Sequence, residues 1–261
     1  MTGSPPEFDG ADLTGVRFHR TRLNDAWFRL SDLSGAVLRD VSLAGAEIDS
    51  DLEELAGLRI NGIEVAPLIE AELARRDPAR ALAAAAHDPA GLRAAWDAIQ
   101  DGWAATGARA AALPDGAVEE SVDGEWSFAQ TLRHLVFATD AWLGAIRGEE
   151  QPFHPWGVPF DGLIRFTGRT PEDFGVDPTA APSYPEVLEL RADRVARMRA
   201  FLAGATPESL ARTNPGPLWH RGEPISALDC ARVVLNEECE HRRFAERDLD
   251  AIEAMPARSA E

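Results

Sequence analysis

The sequence predicts an α+β multi-domain protein, a short repetitive module followed by a bundle of four long helices. Three observations carry that expectation: a strict five-residue period near the start of the chain, four segments of 19 to 28 residues with helical start and stop signals, and an aromatic-bearing connection over residues 149–184. The composition leaves room for it. With 261 residues, 45% hydrophobic and 27% charged, the chain can bury a core, and disorder, collagen and coiled-coil rods are excluded as the main architecture. The net charge is −18, from 44 acidic against 26 basic residues, and every basic residue is Arg. A broad basic face for nucleic acid is therefore not expected, and the absence of Lys removes Schiff-base chemistry and the phosphate-loop lysine.

Stepping by five gives Phe8, Leu13, Phe18, Leu23, Phe28, Leu33, Leu38, Leu43 and Ile48, and two places before each from Leu13 on stand Ala11, Val16, Thr21, Ala26, Ser31, Ala36, Val41 and Ala46. A period of five fits neither a helix nor a simple strand. The pattern resembles the pentapeptide-repeat family, which implies a short right-handed quadrilateral β-helix with the large and small residues pointing inward. At about twenty residues per coil the stretch makes only about two coils, so its end faces need covering. Long acidic stacks of that family imitate duplex DNA, but so short a stack containing Arg17, Arg20, Arg22, Arg29 and Arg39 does not suit that role. Docking or homodimer formation suits it better.

Residues 58–65 alternate around Asn61-Gly62, a strong hairpin signal expected to finish the stack, which gives a first domain of 1–65. Residues 66–88 read as Ala-rich connecting helices broken near Asp77-Pro78, and 89–261 as the bundle. Its helices are expected at 90–112, 127–147, 185–203 and 226–253, marked by a Ser127/Gln130 capping box, by Gly148 and Gly204 after the second and third helices, and by Pro185 near the start of the third. Between the middle two helices, the 149–184 connection carries Phe153, Trp156, Phe160, Phe166 and Phe174, and is expected to form a lid.

On a helical wheel of the last segment, Cys230, Val233, Val234, Phe244 and Ile252 define the apolar face, and Glu237, His241 and Asp248 fall within it. Ionisable groups facing a core need a partner or a metal. Glu237 and His241, four residues apart, lie on adjoining turns. On the second helix His134 shares a face with Ala138, Ala141 and Ala145, which leaves room for an imidazole and its ligand. Together they make a two-His, one-carboxylate set with open positions.

The stretches Glu125-Trp126-Ser127-Phe128, Arg133-His134-Leu135, Asp140-Ala141-Trp142-Leu143 and Leu235 to Ala245 resemble the DinB family of metal-binding four-helix bundles. That family is related to mycothiol-dependent maleylpyruvate isomerases and bacillithiol transferases. The resemblance implies metal ligands at His134 and His241, with Glu237 replacing the first His of the family's His-x-x-x-His pair. It also implies a divalent transition metal (zinc, nickel or iron) and a low-molecular-weight thiol such as mycothiol acting on a small-molecule substrate. A metal-holding binding or sensor protein, or an interaction module led by the repeats, is the alternative.

Other residues carry weaker expectations. His154 and Trp156 hang from the lid and are candidates to act over the metal, and Asp248 is a candidate ion-pair or catalytic group. Glu238 and Glu240 flank the apolar face and read as solvated, although a one-residue rotation of the helix would bring Glu238 in. Cys230 and Cys239, about 180° apart on one helix, cannot pair. No membrane span and no leader is legible, so the expected location is cytoplasmic.

Overall fold

The computed structural model describes residues 7–149, 152–160, 162–220 and 223–255, and the side chain of Phe166 lies outside the described set. The chain divides into two compact units, Met1–Asp49 and Ser50–Glu261.

In the first unit the five-residue period appears as a period of corners. Gly10, Gly15, Arg20, Asp25, Leu30, Gly35, Asp40 and Gly45 all stand in the left-handed region, with φ between 50° and 78°. Every second corner is the third residue of a hydrogen-bonded turn, as type II turns require. The N–H groups of Val16, Ala26, Ala36 and Ala46 donate to the carbonyls of Leu13, Leu23, Leu33 and Leu43 at 3.0–3.2 Å. Asp12 and Asp32 accept from the backbone two residues on, which reinforces the first and third of these turns. No strand is present among the described residues of this unit, and the large apolar residues of the five-residue series remain exposed, from 42% at Leu13 to 66% at Phe8, rather than turned inward.

The second unit opens with the expected hairpin, β1 (Arg59–Ile60) paired antiparallel with β2 (Ile63–Glu64). Asn61 and Gly62 both have positive φ, 50° and 83°, the combination that a type I′ turn needs. Residues 50–65, the hairpin included, fall within the second unit.

Helices α1 (Ala66–Arg76) and α2 (Pro78–Ala85) break where Pro78 removes an N–H donor and Asp77 caps the second helix through Ala79 N–H. Four long helices follow. They are α3 (Pro89–Ala111), α4 (Phe128–Arg147), then after the short α5 (Leu163–Thr167) α6 (Tyr184–Gly204), and after the short α7 (Pro207–Leu210) α8 (Ala227–Ala254). The Ser127/Gln130 box starts α4 and Gly148, φ 69°, ends it. A two-stranded ribbon, β3 (Thr213–Asn214) with β4 (Ile225–Ser226), leads into α8. Helices α3 and α4 each pack against both α6 and α8, and α2 also packs on α3 and α8. Trp96, Ile99, Leu135, Met198, Leu202, Leu235 and Leu249 are buried at the centre.

The long connection lies on α4. A Cβ at Gly144 would collide with the Pro152 ring, so the glycine permits the close approach. Phe153 stacks on Phe137 at 4.7 Å, and Phe160, Phe174 and Trp219 complete a second apolar cluster there.

The solvated reading of Glu238 and Glu240 is corrected by the structure. Glu238 is fully buried and accepts from the Arg191 guanidinium of α6 at 2.5 Å. Glu240, 3% exposed, pairs with Arg80 of α2 at 2.6 Å. Neighbouring helices cover α8 on its flanks as well as on its apolar face, so flanking positions are interior. Asp140 and Arg194 form a third buried pair at 2.7 Å.

Removing one partner of such a pair leaves a buried charge. Glu238→Ala should lower the stability of the helical unit by about 3–5 kcal/mol, while Glu238→Leu with Arg191→Met should recover most of it. Urea unfolding followed by circular dichroism checks both variants.

Candidate metal centre

His134 sits on α4, one turn beyond Thr131, on the face where α4 meets α8. Glu237 and His241 stand one turn apart on α8. One ligand atom from each of the three lies within 4.8 Å of the others. His134 Nε2 is 3.5 Å from Glu237 Oε2, and His241 Nδ1 is 3.4 Å from the same oxygen. Among the described residues this is the one cluster of three or more His, Cys, Asp or Glu side chains close enough to share an ion.

Backbone carbonyls orient both imidazoles. His134 Nδ1 lies 2.9 Å from the Val158 carbonyl of the long connection, and His241 Nδ1 lies 2.9 Å from the Glu237 carbonyl. Donation from Nδ1 in each case leaves the Nε2 lone pair available to a ligand. The two rings stack at 4.5 Å, and the Trp126 indole covers both, at 4.4 Å from His134 and 5.9 Å from His241.

The electrostatics suit ligands. Burial pushes the Glu237 carboxyl up, but the hydrogen bond with His134 and the nearby imidazoles outweigh it, and the net shift is downward. His241 is pushed down to about 4, first by burial and then by His134, with Glu237 opposing. Both groups are thus deprotonated at neutral pH. Asp51 also faces this flank. Its carboxyl is raised to about 6 by loss of water and then by Glu240 and Glu237. Beside it, the Ser50 carbonyl accepts from Arg243 at 3.2 Å.

The other sequence candidates do not join the cluster. His154 Nδ1 accepts from the Trp156 backbone N–H at 3.2 Å, and the backbone N–H of His154 donates to Asp140 at 3.0 Å. Trp156 meets α4 through its carbonyl, which accepts from Arg133 at 2.8 Å. Asp248 pairs with Arg247 at 2.7 Å. Phe153 reaches Phe137, the next turn of α4 beyond His134. Among the described residues, the connection's hydrogen bond to His134 comes from the Val158 carbonyl, while the Phe153 ring packs on Phe137. Trp126 was missed as a site residue. Its position just before the N-cap, where an apolar residue folds back over the first helical turn, is the signal that points to it.

A DinB superfamily model matches residues 98–245, a span that contains His134, Val158, Glu237 and His241. The chain belongs to the DinB superfamily. Pentapeptide-repeat models match residues 7–35 and 17–49, in eight copies. No curated protein and no solved structure matches it. DinB domains are typically metal-binding, and the donor set of this one, two imidazole nitrogens and a carboxylate oxygen, is ordinary for zinc, nickel or iron. Among its described residues no helix is long and apolar enough to cross a membrane.

His241 titrates at its ordinary value of 6.5 when unfolded and near 4 when folded. Between those values the unfolded state binds more protons, so the stability of the metal-stripped protein should fall as pH drops through that window. The expected loss is on the order of 2–3 kcal/mol. His241→Gln should flatten the profile, and urea unfolding at stepped pH checks it.

Proposed function

We propose that this DinB protein is a metal-dependent transferase or isomerase that uses a low-molecular-weight thiol, such as mycothiol, on an electrophilic small molecule. The observation that carries the reading is the convergence of the His134, Glu237 and His241 ligand atoms within 4.8 Å. Three protein ligands leave positions for water, thiol or substrate. A divalent zinc, nickel or iron ion held there supplies a Lewis acid that lowers the pKa of a thiol bound to it.

The chain's own residues do the rest. His134 and His241 present ring nitrogens whose orientation the Val158 and Glu237 carbonyls fix. Glu237 brings a negative charge where three imidazoles would bring none, so an ion held here carries one less net positive charge. The connection over 152–160 and the Trp126 ring screen the imidazoles from water. We read α3, α4, α6 and α8 as the four-helix bundle of the superfamily. Residues 8–50 are assigned to a stack of square coils that serves docking or self-association, a reading supported by the left-handed corners at every fifth residue.

One observation favours a second reading, a metal-holding binding or sensor protein. The cavity beside Trp126, lined also by Thr131, Ala245 and Asp248, has no room for a water molecule, and none of His134, Glu237 and His241 lines it, whereas small-molecule sites enclose roughly 300–1,000 Å³.

Purified protein should contain one transition metal per chain and consume thiol in the presence of a suitable electrophile. His241→Ala should abolish both with little loss of helix content. A variant that still holds one metal per chain overturns the centre, and metal without any thiol turnover supports the sensor.

A further inference from the structure

We propose that Arg133 is a positioning residue: it pins the Val158 carbonyl against His134 and so sets which imidazole nitrogen is free to bind. The inference rests on the metal-centre reading for its consequence, but its geometry stands independently.

A carbonyl oxygen can only accept, so the 2.9 Å approach of His134 Nδ1 to Val158 requires the proton on Nδ1. In the neutral ring the lone pair is then on Nε2, the nitrogen that lies 3.5 Å from Glu237 Oε2. With the opposite tautomer, the lone pair would face the Val158 oxygen and the proton would face the ligand cluster. The choice between them depends on where a loop carbonyl stands, and a loop carbonyl needs to be held.

Arg133 holds it from two directions. Its Nε donates to the Trp156 carbonyl at 2.8 Å, and its backbone carbonyl accepts from Val158 N–H at 3.3 Å. The segment thus spans one residue's side chain and main chain, next to the imidazole it serves. Gly157 lets it lie that close, because a Cβ there would stand 3.2 Å from Phe137 Cβ. Two further bonds close the segment on itself and on the rest of the connection, from Gly157 N–H to the His154 carbonyl at 2.9 Å and from Asp177 N–H to the Pro155 carbonyl at 2.8 Å. Neither of them reaches α4, and the backbone N–H of His154, which donates to Asp140 of α4 at 3.0 Å, anchors the segment four residues before Val158. Outer contacts of this kind on a ligating imidazole are worth about 10–100-fold in metal affinity.

The test uses the full chain, ¹⁵N-labelled and stripped of metal, at about pH 8 where imidazoles are neutral. Long-range proton–nitrogen correlation should show His134 as the Nδ1–H tautomer in the parent protein and as a mixture in Arg133→Met, with Arg133→Lys restoring most of the parent pattern. Titration with Co²⁺ in competition with a chelator should then show Arg133→Met binding about 10–100-fold more weakly, at unchanged stoichiometry and helix content. Gly157→Ala, which pushes the segment off Phe137 with Arg133 intact, should reproduce the mixture and covers the case in which Arg133→Met does not fold. A parent protein with the proton on Nε2, or an Arg133→Met variant with the parent tautomer and affinity, overturns the proposal. A parent protein that takes up no Co²⁺ sinks the metal-centre reading alone, and the tautomer comparison still decides the role of Arg133.

Discussion

The helical unit is organised by the cost of burying charge along α8. Glu237, Glu238 and Glu240 stand within four residues of one another, and each is answered by a different helix. Glu237 meets His134 of α4, Glu238 meets Arg191 of α6, and Glu240 meets Arg80 of α2. Apolar packing would tolerate many rotations of these helices about one another. Desolvated carboxylates do not, because each demands a donor at one place. Two of the three contacts are closed ion pairs. The third, with a second imidazole one turn away, remains open enough to take an ion.

This division explains why stability and chemistry sit so close together on one helix. Arg191 and Arg80 offer guanidinium donors that hold their charge at any pH the fold survives, and they pair closely with Glu238 and Glu240. Around Glu237 the partners are imidazoles, of which burial keeps His241 neutral at physiological pH, so that carboxylate keeps coordinating capacity. Placing Arg against Glu237 would extinguish it.

Much of this was legible in the residues. The five-residue period, the hairpin at Asn61-Gly62, the helix limits and the convergence of His134, Glu237 and His241 follow from spacing and from the rule that core-facing ionisable groups need partners. Glu238 and Glu240 were misplaced because a helical wheel describes one helix and is silent on how many neighbours surround it. Here α2 and α6 cover its flanks. The Val158 carbonyl could not be foreseen, since every residue carries one and only the path of the connection selects it. Of the aromatic residues of that connection, Phe153, Phe160 and Phe174 gather in an apolar cluster with Phe137 on α4 rather than against the imidazoles. Trp126 is the reverse case, a residue read as part of a motif whose contact with both imidazoles only the folded helix start reveals.

The corners of the first unit carry a consequence for how such a segment changes over time. Because a left-handed residue recurs at every fifth place from Gly10 to Gly45, the insertion or loss of a single residue shifts every later corner onto a side chain that was not selected for it. A block of five leaves all of them in phase. Length in this unit is therefore quantised, and growth by duplication of whole pentads is the path that preserves its geometry, whereas the helical unit can absorb single-residue changes in its loops.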